Sequence, residues 1–300
     1  MRDRTAVLMV LAAALMWGTT GTARALAPEN AAPLAVGAVR IVIGGAVLVL
    51  IALARGTLLG ARGSRPRWPI LAAAISAIAV AIYQLAFFEG VARVGVAVGT
   101  IVAIGSAPAF AGALAWIALR ERPSTRWLVA TAVAVAGLVL LVLQSPEAAL
   151  EPRATLLPLT AGAGYAVYAT ASKRMLRAGD SVAVAAIAFG GGALLLLPLL
   201  FTVDLAWLRE PRGVAVALEL GVVATALAYI LFTRALTRLP VSWSATLSLA
   251  EPLTASLLGV AILRESLAPL QIVGAALVAA GLVSLATAPA TDALLPETSS

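Results

Sequence analysis

Long apolar tracts separated by short basic connections set the pattern of this chain. Seven tracts carry no charge at all: 5–23, 68–88, 94–119, 127–146, 154–172, 181–203 and 266–291. Three more carry one charge each: 30–54 with Arg40, 213–233 with Glu219 and 239–263 with Glu251. A membrane-spanning helix needs roughly 20 predominantly apolar residues. The pattern therefore predicts ten spans, five in each half of the 300 residues. Apolar and polar positions do not alternate as in an outer-membrane barrel, and the tracts exceed barrel-strand length. The first tract, free of charge from Thr5 to Ala23, is long enough to span and is read as a retained helix. The fold class expected is an all-α membrane protein with ten transmembrane helices in two inverted five-helix repeats.

The repeat is visible in the residues. SAPAFAGALAWIALRE at 106–121 returns 144 positions later, at 250–265, as AEPLTASLLGVAILRE. Pro108 then matches Pro252, Leu119-Arg120-Glu121 matches Leu263-Arg264-Glu265, and Gly137-Leu138-Val139 matches Gly281-Leu282-Val283. An odd number of spans per half turns the second copy upside down, a layout common to secondary transporters. The expected organisation is a first repeat at 1–146, a second at 147–291 and a short polar tail at 292–300.

Basic residues orient the spans. With the N-terminus inside, fourteen Lys and Arg fall on inner segments and six on outer ones, while Arg40 lies within a span. Both termini are expected in the cytoplasm of a bacterium, the chain being multi-pass in the inner membrane. Hydrophobic residues make up 62% of the chain and charged residues 12%, against about 25% charged in soluble domains. The absence of His and Cys removes imidazole relays, thiol nucleophiles, disulfides and the commonest soft metal ligands. Gly190-Gly191-Gly192 sits mid-span without the context of a nucleotide fingerprint. No cofactor, no metal and no nucleic-acid partner are expected.

With ten spans in place, the chain resembles the drug/metabolite transporter superfamily, in its ten-helix EamA-type branch. The resemblance rests on Trp17-Gly18-Thr19 in the first span and on PLAVGAVR (Pro33 to Arg40) entering the second. Proline-containing spans 4 and 9, each running into Leu-Arg-Glu, complete it. It covers residues 5–287. The resemblance implies a carrier with a central cavity between the halves, often an exporter of amino acids or other metabolites, and in some similar members of aromatic amino acids.

The residues themselves point to a cavity. Glu251 lies ~14 Å deep at ~1.5 Å rise per residue, near the bilayer midplane, where a carboxylate is by default a functional candidate. It suits a substrate ammonium or a proton, or is a neutral structural group. Its repeat mate is Ala107, so any role is asymmetric. Arg40 and Glu219 lie at matching depths and could pair, while Arg40 also suits a substrate carboxylate. Pro108 and Pro252 each remove a helix hydrogen bond and are candidate hinges. Trp17, Tyr83, Gln84, Tyr165, Tyr168, Trp243, Ser244 and Ser248 join Arg40 and Glu251 as substrate-binding or cavity candidates, since an apolar pocket with few polar groups suits a small amphiphile. Span 9, with Ser242, Ser244, Thr246 and Ser248, is the span expected to face the pathway. Trp68, Trp127 and Trp207 sit near span ends, where interfacial anchors belong.

The expected function is export of a small metabolite, an amino acid with an aromatic or hydrophobic side chain, by alternating access. Rival readings are a carrier of nucleosides, drugs or lipid-linked precursors, a passive channel, or an intramembrane enzyme, for which convergent catalytic groups are too few. Expected partners are the substrate and membrane lipids, the protein being a monomer or weak homo-oligomer.

Overall fold

The computed structural model describes residues 4–58, 67–142, 155–264 and 266–288. Arg2, Arg62, Arg65, Arg153, Glu265 and the tail at 292–300 lie outside them. Ten helices follow one another: α1 Arg4–Ala25, α2 Pro33–Ala54, α3 Ile70–Val94, α4 Val96–Leu119, α5 Thr125–Val142, α6 Leu156–Met175 and α7 Ser181–Leu196. The last three are α8 Pro211–Leu236, α9 Val241–Leu263 and α10 Pro269–Thr287. No strand occurs among the described residues.

Nine of these helices are long and apolar enough to cross a membrane. The tenth, α6, carries Thr160, Tyr165, Tyr168, Thr170, Ser172 and Lys173 and is largely buried among the others. Tyr168, Thr170 and Ser172 are buried, while Thr160 is exposed. The outward positions of the neighbouring helices are Leu8, Ile70, Leu71, Ile117, Leu194 and Ile272, all exposed, as expected where the solvent is hydrocarbon.

Helix ends follow local chemistry. The third helix runs past its apolar tract to Val94, because Glu89 and Arg93 pair at 2.7 Å across one turn. It stops at Gly95, whose φ of 83° few other residues tolerate. The fourth and ninth helices both end on an arginine in the left-handed conformation, Arg120 at φ 59° and Arg264 at φ 61°. The repeated Leu-Arg is thus a repeated C-cap geometry. The two prolines act differently. Pro108 leaves α4 continuous, whereas α9 breaks at Ser248-Leu249, ahead of Pro252. There the Leu249 N–H bonds the Thr246 carbonyl at 3.0 Å and the Glu251 N–H bonds that of Ser248 at 2.9 Å. Of the two candidate hinge prolines, one thus follows a break in its helix and the other lies in an intact one.

Between Glu219 and Leu227 the eighth helix widens into a π-helix, a feature often found at functional sites.

Helix pairs exchange under the swap of α1–α5 for α6–α10. The third packs on α6 as α8 packs on α1, and α4 packs on α6 as α9 packs on α1; α2 meets α7, and α5 meets α10. At the last pair the repeat can be read atom by atom. A Cβ at Gly137 would come 2.6 Å from the Gly274 carbonyl and the Val278 nitrogen, and one at Gly281 would come 2.7 Å from the Ala130 carbonyl. Gly274 and Ala130 are themselves 144 residues apart.

The connections after α2, α4, α6 and α8 gather at one end of the bundle. Trp68, before α3, lies over Gly179, and Arg174 donates to the Ala118 carbonyl at 2.9 Å. At the same end Arg126 donates to the Ser284 carbonyl at 2.8 Å. The opposite end is closed by Trp207, fully buried with Val36, Val39, Val216 and Leu220.

Trp127 and Trp207 are consequently not interfacial anchors: both are buried. The indole of Trp127 donates to the Ser242 carbonyl and the Thr246 hydroxyl, both at 3.0 Å, inside the bundle. Trp116, more than half exposed near the end of α4, occupies the outward position instead.

Candidate functional site

All four tyrosines of the chain meet around one internal space. Tyr83 and Gln84 come from α3, Tyr165 and Tyr168 from α6, Phe189 from α7 and Tyr229 from α8, with Ile41 and Val80 completing the wall. The space holds about one water molecule. Tyr229 lies 3.9 Å from Phe189 and 5.7 Å from Tyr168, ring centre to ring centre. Trp17 extends the cluster from α1, 4.9 Å from Tyr229 and 5.5 Å from Phe232. Tilted and edge-on contacts of this kind hold rings firmly, so the wall is stiff and apolar with polar tips.

The polar tips are few. The Tyr168 hydroxyl lies 3.3 Å from that of Thr233, and the Tyr165 hydroxyl 3.1 Å from that of Ser248, at the break in α9. Gln84 is buried, yet neither its amide nitrogen nor its oxygen has a hydrogen-bond partner, and the Trp17 indole N–H has none either. A buried amide without partners is costly. Gly37 makes room for it, since a Cβ there would stand 2.5 Å from the Gln84 amide nitrogen.

Two opposite charges face the same region. Arg40, buried on α2, donates through Nε to the Thr225 hydroxyl at 3.3 Å. That hydroxyl in turn caps the Leu220 carbonyl at 2.8 Å within the π-helix. The guanidinium lies within electrostatic range of Glu219, Glu251, Tyr83 and Tyr229. Glu251, half-buried at the α9 break, lies within the same range of Tyr83, Tyr165 and Tyr229. Arg40 and Glu219 do not close an ion pair: Glu219 accepts from Thr19 at 2.5 Å, and its other oxygen is buried without a hydrogen-bond partner. Widening of α8 turns Thr225 rather than Glu219 onto the Arg40 Nε.

Of the residues expected from sequence, the fold brings Tyr83, Gln84, Tyr165 and Tyr168 onto the space, places Trp17 and Ser248 against its aromatic lining, and keeps Arg40 and Glu251 within its field. Ser244 is elsewhere: its hydroxyl turns back to the Pro240 carbonyl at 3.1 Å. Trp243 is buried in the apolar core and is not among the lining residues. The polar face of α9 is largely consumed within the bundle, Thr246 bonding Thr131 at 2.7 Å as well as Trp127. Hydroxyls in a span satisfy backbone and neighbours before they face a pathway. Phe189 and Phe232 escaped the sequence reading, since an apolar ring in an apolar span carries no local signal. The Phe189 backbone does meet a glycine of α2, since a Cβ at Gly45 would stand 2.5 Å from the Phe189 carbonyl oxygen.

Comparisons with known proteins agree with this architecture. The EamA-like transporter family matches twice, over residues 4–143 and 153–287. The uncharacterized transporter YwfM of Bacillus subtilis (strain 168) is 44% identical over 282 residues, covering 94% of either chain. A Streptantibioticus cattleyicolor protein described as "Probable terminal-alkyne amino-acid exporter" is 29% identical over 236 residues, 78% of either chain. A solved crystal structure superposes with a TM-score of 0.80 at 23% identity, covering 96% of this chain and 97% of the other, and so shares the fold. Two matches to the family model, one per half, and a close relative along nearly the whole length make this multi-pass membrane protein a member of the EamA-like transporter family.

Proposed function

We propose that this transporter exports a small zwitterion, an amino acid with an aromatic or other hydrophobic side chain, by alternating access. What supports the reading most is that Arg40 and Glu251, though not in its wall, lie within electrostatic range of the tyrosines that ring the space. A guanidinium fork suits a carboxylate, a carboxylate suits an ammonium, and the rings suit an apolar side chain. Gln84, with donors and an acceptor free, bonds either end of the zwitterion. Trp17, Tyr83, Tyr165, Tyr168 and Ser248 complete the site, and Pro252 marks the hinge. The exporter described in Streptantibioticus cattleyicolor, though more distant, favours the amino-acid class and the outward direction. Glu251 is also the group through which a proton would compete with the substrate ammonium.

Pockets for small molecules measure about 300 Å³ or more, far beyond the one-water space between the rings. Loading therefore requires α8 and α9 to draw away from α3 and α6. The two halves, 1–146 and 147–291, act as inverted repeats that rock about this site. Excess basic charge at the α4–α5, α6–α7 and α8–α9 end puts that end, and both termini, in the cytoplasm, with the chain in a bacterial inner membrane. Transport rather than catalysis is the whole activity.

A counterflow assay in proteoliposomes with amino acids, nucleosides, quaternary amines and lipid-linked sugars tests the reading. Phenylalanine, tryptophan or leucine should exchange saturably and with trans-stimulation. Arg40→Lys, which loses the fork, should raise the apparent KM about tenfold, in line with the ~1.5–3 kcal/mol of a hydrogen bond to a charged group. Exchange confined to nucleosides, amines or lipid-linked sugars would overturn the amino-acid reading, and unsaturable flux would make the protein a channel.

A further inference from the structure

The bundle end that gathers the α4–α5, α6–α7 and α8–α9 connections holds a charged pair that the substrate site does not use. Lys173, the single lysine of the chain, ends α6. Its Nζ donates to the carbonyls of Leu236 at 2.5 Å and Leu239 at 2.7 Å, where α8 finishes and turns towards α9. Glu121 follows the left-handed cap at Arg120, and its Oε2 accepts from the backbone N–H of Val241 at 2.9 Å, the first residue of α9. Its Oε1 lies 3.9 Å from the Lys173 Nζ, and both side chains are about one-fifth exposed (21% and 18%).

The arrangement is a clasp. A cation holds the negative end of α8, an anion holds the positive start of α9, and each sits where the helix dipole favours its sign. The two clasping residues belong to α6 and to the α4 exit, while the turn they hold joins the helices that carry Tyr229, Phe232, Ser248 and Glu251. The Trp127 indole adds a further bond to α9 at its second residue, Ser242. Most of the grip is on backbone groups, which any alternative position of the turn would have to release together.

We propose that Glu121 and Lys173 form a latch that closes the cytoplasmic mouth of the transporter by clasping the α8–α9 turn, and that cytoplasmic loading requires its release. The inference rests on the alternating-access reading and on the orientation given above.

The full-length protein contains no cysteine, so one reporter can be followed cleanly. Ser244→Cys, buried just inside the turn and apart from the substrate residues, is labelled with a membrane-impermeant maleimide in inside-out and right-side-out vesicles, with no substrate present. On the otherwise unaltered chain, labelling from the cytoplasmic face should be slow. Lys173→Met, which removes both carbonyl contacts, and Glu121→Ala, which removes the Val241 acceptor, should each accelerate it tenfold or more. Lys173→Arg and Glu121→Gln retain a donor and an acceptor and should stay slow, and they keep the test meaningful if Lys173→Met fails to fold. Unchanged labelling from both faces in Lys173→Met and Glu121→Ala would overturn the latch. Acceleration from the opposite face alone would retain the latch and overturn the orientation. Because no substrate is used, either result stands apart from the amino-acid assay.

Discussion

Glu121 illustrates how a single side chain can weigh against the contact it makes. Burial raises its carboxyl above the ordinary glutamate range; the Lys173 ammonium, the Val241 N–H and the Arg177 charge pull the other way without offsetting it. With the mouth open, the carboxyl returns to water and to its usual value of about 4.3. The closed form therefore binds the proton more readily. Closure gains as pH falls through the raised value and loses that advantage as pH rises through it. Measured relative to the same reporter in the Glu121→Gln background, which removes the titration of the thiol itself, cytoplasmic labelling of Ser244→Cys should accordingly slow on acidification, at a pH above that of an ordinary glutamate. Glu121→Gln, a permanent stand-in for the protonated form, should leave only the pH dependence of the thiol itself. A relative rate that stays flat or climbs on acidification would contradict this linkage. None of it was visible in Arg-Glu as a repeated dipeptide, because the Lys173 ammonium and the Val241 N–H lie 52 and 120 residues away along the chain.

At the scale of elements, hydrophobic length located the helices and hydrogen bonding decided their interiors. Pro252 was conspicuous as a residue, yet the break it makes depends on what replaces the missing bond. Here the Glu251 N–H takes the Ser248 carbonyl, which fixes Glu251 at the discontinuity and Ser248 against Tyr165. Pro252→Ala supplies the lost N–H and should straighten α9. Counterflow should then drop at least tenfold while the protein remains folded in detergent. Pro108→Ala, in a helix already continuous, should cost far less, and equal losses at the two sites would argue against a hinge confined to α9. The π-helix in α8 had no signature, since Glu219–Leu227 reads as ordinary apolar helix. Its extra backbone per turn changes which side chains face α2, and so undoes the Arg40–Glu219 pairing that matching depths implied.

For the whole molecule, the offset of 144 residues is also a packing rule. The Gly137 and Gly281 contacts are the same contact made from each side of the α5–α10 pair, both against backbone atoms that cannot yield. Gly137→Val and Gly281→Val should each destabilise by about 1–3 kcal/mol through overpacking, and by similar amounts, as read by thermal unfolding in detergent. Gly21→Ala, where a Cβ meets nothing within 4 Å, should be neutral. A large gap between the two valine variants would show that the halves do not share this interface equally.

Read alone, the sequence determined the helical class, the placing of the ten helices, the repeat and the family resemblance. Each of these depends on local quantities: apolar length, charge in connections and residue identity at a fixed offset. It also marked Tyr83, Gln84, Tyr165, Tyr168, Arg40 and Glu251 as exceptional, because polar and aromatic groups stand out in alanine-rich spans. Tertiary structure alone decided which of them meet. Close approach through glycines brings α3, α6, α7 and α8 around one space, while Ser244 and Thr246 spend their hydroxyls on carbonyls and on α5. Those outcomes turn on contacts between residues far apart in the chain, where a difference of one helical turn reassigns every partner.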